Sequence, residues 1–569
     1  MTERKYIRGF LVLFALVQAW ACRFYVDPDG VNYLDAARAY VNHDWALAFN
    51  GWWSPLYSWL LALALFVFRP TPQMESTVLH AVNFVIFVGA LWSFEFFVRE
   101  AVGEAPNTSS GMPVGEMSGL STRLLWLLGY ALFGFSTLFL ISVRLDTPDL
   151  CVACLVFLAA GLVLRIRSRP EQFGAYVELA VVLAVSYYAK SVMFPLGFVF
   201  FFAAAGGKPV SSKRLINVLA SVCLFLALTA PFVRLLSIRA GRLTFGDIGR
   251  MSYAMYVDGV PDPVRWQVGV PGTGYPVHQM TTSNTSPVVY SCARPFPTTY
   301  PPWYDGSYWY AGMSPHFTWR GQLRVLQQNL GVYYLIFSTR REFIVGFLAV
   351  ALFCGSFRVV SSGILEKWPV WIPAVVPFVL YMFVHVESRF VGAFFTLLWM
   401  ALFLGLRQGC QGLPSRFANG IIFAITVMVA ITCVTAAAGD VKQIVSANPN
   451  EEWQAAQALQ NAGFSEGDRV GIIGHTNVAD YWAHLAGLSI SAEIAQEDAP
   501  IFWQAPTDEK SRIVDEFYNT GARAIVTRLA PPPNAAGWTR LGQSPYYALF
   551  LTKQESARSA PATQTTSAR

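Results

Sequence analysis

Charge is what this sequence has least of. Only 13% of its 569 residues are Asp, Glu, Lys or Arg, against about 25% in a soluble globular chain. With 54% hydrophobic residues and a mean hydropathy of +0.41, the shortage excludes a soluble multidomain protein and reads as a polytopic membrane protein. A complete phosphate-cradling motif is also missing. "GIIGHTN", from Gly471, has two glycines but no full GxGxxG, and the chain offers no Walker lysine, so it reads as a strand-to-helix turn. His475 and His484 beside it read as surface or packing residues. No disulfide framework is implied. Of eight cysteines, Cys22, Cys151, Cys154, Cys223, Cys354 and Cys433 sit in apolar runs and Cys292 lies alone in a polar loop. The Cys151–Cys154 pair reads as packing, since no second ligand pair follows it.

The formal net charge of +6 is no nucleic-acid footprint, because the basic residues sit in short tracts such as "RIRSRP" and "KPVSSKRL". That is the positive-inside pattern, and it orients the spans. The start "MTERKYIRGFLVLFALVQAWACRFYV" reads as a retained first helix with its N-terminus in the cytoplasm. Apolar runs near 8–24, 76–98, 124–142, 150–164, 174–189, 191–205, 215–236, 342–357, 369–384, 390–406 and 417–436 give about eleven spans. The run 55–68 is short and stopped by Pro70 and Pro72. The charge alternation works only if it lies along the membrane surface.

The expected architecture is thus a transmembrane domain over 1–438, with a first outer loop at 25–70 and a long outer loop at 237–338. A small extracytoplasmic α/β domain over 439–554 and a disordered tail at 555–569 follow. In that domain "DRVGIIGH", "SISAEI", "ARAIVTRL" and "YYALFLTK" read as strands. "NVADYWAHLAG" and "DEKSRIVDEFYNTG" read as helices that stop at Gly487 and Gly521.

This topology gathers ionisable residues on one face. Asp27 and Asp29 follow the first span. Arg144, Asp146 and Asp149 sit at the next outer turn, Lys190 at the third, and His385, Glu387 and Arg389 at a later one. One such group is an ordinary interfacial charge; four at one level point to a site. Carboxylates supply a general base for a hydroxyl nucleophile or hold a divalent cation. Lys190, Arg389 and His385 could neutralise a phosphate. The aromatic stretch "TTYPPWYDGSYWYAGMSPHFTW" suits either an interface belt or stacking on sugar rings.

In order, "DPDGVNYLDAARAY", "NGWWSPLYSWLLAL", "VRLDTPDL", "SYYAKSVMFP" and "HVESRF" resemble the GT-C superfamily of membrane glycosyltransferases. The likeness covers about residues 1–440. It looks closest to the branch of protein O-mannosyltransferases and the lipid A aminoarabinose transferase, with the oligosaccharyltransferase catalytic subunit more distant. The resemblance implies a GT-C fold and an essential first-loop acid at Asp29 or Asp27. It also implies a second-loop acid at Asp149 or Asp146, and a phosphate-binding role for Lys190. Pro28 separates the first pair, where relatives have adjacent acids, and the sequon-reading "WWD" motif is missing, which disfavours N-glycosylation.

The expected function is inverting transfer of a sugar from a polyprenyl-phosphate donor to a lipid, glycan or protein acceptor, at the extracytoplasmic face of the cytoplasmic (inner) membrane. Asp29 and Asp27 are the catalytic candidates. Lys190, Arg389 and His385 bind the donor phosphate, and Asp149 and Asp146 serve as second acid, metal or acceptor ligands. Glu387, Arg144 and Tyr33 support them. A divalent cation such as Mg or Mn would use Asp29 and Asp149. The rival readings are a flippase for a lipid-linked glycan and a non-catalytic cell-envelope assembly protein.

Overall fold

The computed structural model describes residues 2–103, 120–206, 212–259, 278, 280–292, 297–353, 357–409, 415–446, 450–474, 480–533 and 535–551. His475, Cys354 and the tail at 555–569 lie outside these. The chain opens with helix α1 (Thr2–Ala21), followed by α2 (Pro28–Val41), the single turn α3 (Trp45–Ala48) and α4 (Pro55–Phe68). Asp27 caps α2 and Pro28 occupies its first turn, where a missing N–H costs nothing. Then come α5 (Pro72–Val102), α6 (Thr122–Phe135), which runs on as a π-helical turn over Ser136–Leu140, and α7 (Asp149–Ser168). Phe94 joins three of these helices, its ring 5.0 Å from Phe133 and 5.4 Å from Phe157. Next are α8 (Phe173–Ala189), α9 (Met193–Ala205) and α10 (Ser212–Ala240).

The segment expected as a long outer loop contains helices of its own. It holds short helices α11 (Ile248–Ser252), α12 (Pro301–Tyr304) and α13 (Gly306–Trp309), and then α14 (Trp319–Ser338). Gln322 and Asn329 on α14 donate their side-chain amides to the carbonyls of Phe383 and Met382 at 2.9 Å each. The bundle closes with α15 (Arg341–Phe353), α16 (Phe357–Glu366), α17 (Trp368–Met382), α18 (Ser388–Gly409) and α19 (Ser415–Val445). Among the described residues six helices are long and apolar enough to cross a membrane, or seven if α16 and α17, bent by 80°, form one span. The protein is therefore a polytopic α-helical membrane protein. Several apolar runs fold into short pieces: α4, α8 and α9 are apolar but shorter than a span, and α17, with Pro373 and Pro377 inside it, has 15 residues.

Beyond α19 lies an α/β unit. It comprises α20 (Glu451–Asn461), α21 (Tyr481–Ala486), α22 (Ala499–Gln504), α23 (Thr507–Asn519) and strands β3 (Arg469–Ile473), β4 (Ser489–Ile494), β5 (Ala522–Thr527), β6 (Trp538–Arg540) and β7 (Tyr547–Phe550). The sheet order is β1-β2-β4-β3-β5-β7-β6. Its first two strands, β1 (Thr281–Thr282) and β2 (Tyr290–Ser291), come from the 237–338 segment, and β2 pairs antiparallel with β4 through Tyr290–Glu493 and Ser291–Ala492. β3 runs parallel to both its neighbours.

The same segment is also bolted to the first loop. Asn50 Nδ2 and Trp53 Nε1 both donate to the Tyr304 carbonyl, at 2.6 and 3.1 Å. Trp52 stacks on Tyr310 with ring centroids 5.5 Å apart. A Cβ on Gly306 would stand 2.0 Å from the Trp52 ring, so only glycine fits there.

Candidate active site

Two carboxylates of the sequence-read cluster are locked into the backbone. Asp27 accepts Gly30 N–H on Oδ1 at 3.0 Å and Asp146 N–H on Oδ2 at 2.6 Å. Asp146 returns the bond, accepting Asp27 N–H on Oδ2 at 3.2 Å. Its Oδ1 accepts Asn83 Nδ2 at 3.0 Å, and His80 Nδ1 lies 3.5 Å away. Both acids are buried. Burial, and then the charges of Asp146 and Asp29, pushes the Asp27 carboxyl up to about 8, and burial pushes Asp146 up as well. Gly30 permits this close seam, because a Cβ there would meet the Cβ of Asp146 at 2.6 Å. This pair splices the two loops together.

The other charged groups form a second, more open array centred on Arg389, at the start of α18. Its Nη2 donates to Asp29 Oδ2 at 3.0 Å and its Nε to Glu387 Oε2 at 2.6 Å. Asp149 Oδ2 lies 3.8 Å from the same Nε. Lys190 Nζ donates to Asp149 Oδ1 at 2.6 Å and sits 3.7 Å over the Phe390 ring. Thr147 Oγ1 donates to Asp149 Oδ2 at 2.9 Å. His385 Nε2 is 3.2 Å from Glu387 Oε1, and its ring stacks on Tyr256 at 3.9 Å.

Exposure ranks these groups. The side chains of Asp29, Lys190 and Glu387 are 23%, 22% and 35% accessible, while Asp149 is 3% accessible and stands behind them. Burial pushes the Lys190 ammonium down although Asp149 opposes the shift. Burial would raise the Glu387 carboxyl, but the His385 hydrogen bond and the Arg389 charge bring it down to about 2. Tyr33 is buried beside the array, its phenol raised first by burial and then by Asp29 and Asp149. Three carboxylates thus meet two fixed cations, plus a histidine on the rim. Such an array can take up an anion between Lys190 and Arg389 while leaving a carboxylate beside it.

The structure therefore brings together Asp29, Asp149, Lys190, Glu387, Arg389 and His385, with Asp27 and Asp146 adjoining through the backbone. Arg144 turns away to pair with Asp440 on α19. Asp29 and Asp149 are bridged by Arg389, and among the described residues no group of three or more His, Cys, Asp or Glu could hold a metal ion. Thr147, Phe390, Tyr256, His80 and Asn83 were not singled out in the sequence. His80 and Asn83 carried a signal, being polar and three residues apart in an apolar run.

Fold and site together define a multi-pass helical membrane protein with a charged array at one end of its bundle, capped by a small α/β unit. No protein-family model matches the chain, and no curated protein matches it by sequence. Its structure is similar to that of ArnT from Cupriavidus metallidurans in the apo state, at 12% identity over 96% of this chain and 98% of that one, with a TM-score of 0.49. It is also similar to the oligosaccharyltransferase of Archaeoglobus fulgidus in complex with Zn and sulfate, at 13% identity over 91% of this chain and 67% of that one, TM-score 0.47. A further match is ArnT from C. metallidurans bound to undecaprenyl phosphate, at 11% identity over 96% and 98% of the two chains, TM-score 0.39.

Proposed function

We propose that the chain is an inverting glycosyltransferase that uses a polyprenyl-phosphate-linked sugar and works at the extracytoplasmic membrane face. One observation carries the reading: a partly exposed carboxylate, Asp29, lies 3.0 Å from an arginine that shares Asp149 with Lys190. Asp27 is the weaker base, since both of its oxygens already accept backbone N–H groups.

In the proposed reaction the donor phosphate enters between Lys190 and Arg389. Its charge competes with Asp29 for the Arg389 guanidinium, which frees Asp29 to accept a proton. The acceptor oxygen then attacks the anomeric carbon from the face opposite the phosphate, and the new C–O bond inverts that centre. The bond to the phosphate oxygen breaks with its electron pair, and the polyprenyl phosphate leaves against the two cations. The acceptor proton ends on Asp29.

The test is transfer from a panel of undecaprenyl-phosphate-linked hexoses and pentoses by the purified full chain. Asp29→Asn is expected to lower kcat by about two to four orders of magnitude, the usual worth of a positioned base. Undiminished transfer by a well-folded Asp29→Asn variant sinks the assignment.

A further inference from the structure

His484 was expected at the surface or in ordinary packing. It is instead fully buried in the seam where α21 of the α/β unit meets α2 and α5. Its Nδ1 is 2.7 Å from Asp35 Oδ1 and its Nε2 is 3.0 Å from Glu75 Oε2. A neutral imidazole has only one N–H and cannot donate to both carboxylates; the imidazolium can. Arg38 completes the group. It donates to Glu75 Oε1 through Nε at 3.1 Å and Nη2 at 2.9 Å, and to the His484 carbonyl through Nη1 at 3.1 Å. The quartet has two positive and two negative members, which is the condition for burying it.

Two of these partners, Asp35 and Arg38, belong to α2, the helix whose first turn carries Asp29. Thr299, from the segment that feeds the sheet, also grips Asp35, donating its N–H to Oδ2 at 2.7 Å and its hydroxyl to Oδ1 at 3.0 Å. The same residue's carbonyl accepts Ile490 N–H of β4 at 2.9 Å. The α/β unit therefore holds α2 by its middle.

We propose that His484 is a positioning residue: protonated, it clamps α2 to the α/β unit and so fixes Asp29 against Arg389. The proposal rests on the reading of Asp29 as the base. The other ionisable neighbours are Asp480, which immediately precedes α21, and Tyr481, whose ring is 5.8 Å from the imidazole. Loss of the His484 proton leaves an acceptor nitrogen facing a carboxylate, so the clamp opens as pH rises.

The experiment compares the full chain in nanodiscs with His484→Gln and Asp35→Asn. Two readouts are taken from pH 6 to 9.5: hydrogen-exchange protection factors for peptides of α2, and kcat and KM for sugar transfer. In the wild type, α2 protection is expected to fall about tenfold across the range. In His484→Gln it is already low at pH 6 and flat, while peptides of α5 and α7 stay protected, which shows that the bundle is folded. The kcat is expected to drop by roughly ten- to a hundredfold with KM held within about twofold, as for a misplaced catalytic group. Protection of α2 equal to wild type, or loosening confined to the α/β unit, overturns the proposal. So does an unchanged kcat in a variant with a loosened α2. Full activity of Asp29→Asn instead overturns the catalytic reading, and the exchange result still tells whether the clamp exists.

Discussion

Two aspartates two residues apart sit in different surroundings because one of them caps a helix. Asp27 spends both oxygens on backbone N–H groups, so Asp27→Asn leaves one N–H without an acceptor. We expect a loss of about 1–3 kcal/mol of stability, read as a lowered unfolding temperature. Asp29→Asn should affect turnover and spare stability. Arg389→Lys keeps the charge but loses the fork that reaches Asp29 and Glu387 together. A fall in kcat/KM of about a hundredfold is expected from steady-state transfer, and full activity in the lysine variant would remove the fork from the mechanism. In the sequence Asp29 and Asp27 read together as catalytic candidates; the cap that separates them shows only in the backbone hydrogen bonds of Asp27. The pairing of Arg144 with Asp440 was not legible, because it joins residues 296 positions apart.

At the scale of elements, glycine marks where segments meet. Gly306→Ala would drive a methyl into the Trp52 ring and should cost about 1–3 kcal/mol as overpacking. The expected readout is faster limited proteolysis of the 297–318 segment, with the α/β unit unaffected. The strands and helices of the α/β unit were readable because their periodicities and stops are local. Gly487 and Gly521, read as stops, follow their helices with φ of 71° and 82°. The spans were less readable. Apolar length does not distinguish a crossing helix from one bent or cut short, and that difference decides α16 and α17. The strands β1 and β2 escaped notice because they are two residues each and exist only through β4.

At the scale of the whole molecule, buried ionisable groups in the α/β unit set its response to pH. Burial pushes Glu493, which accepts the Tyr300 hydroxyl, up to about 8, and pushes Asp480 up to about 7. A buried acid with a raised value binds more protons folded than unfolded, so stability falls as pH climbs from the unfolded value to the folded one. His484 is raised despite burial and Arg38, through Glu75 and Asp35. Its contribution is complete below about 6.5 and is lost as pH passes its folded value. The signs of Glu493 and His484 agree between about pH 6.5 and 8. The α/β unit should therefore unfold at lower temperature at pH 8.5 than at pH 6.5, measured by calorimetry on the full chain; an unchanged or rising transition would contradict the assignment.

The pairing of β2 with β4 has a consequence for how the molecule is made. Ser291 meets Ala492, so during synthesis the earlier strand emerges some two hundred residues before its neighbour exists. Through that interval the 281–291 hairpin has an unpaired edge, and α2 lacks His484. Once α19 has been made, the nascent bundle is complete in its helices yet unfastened at the charged end until α21 follows. It acquires its working geometry only when α21 and β4 arrive, with β5, β6 and β7 still to follow.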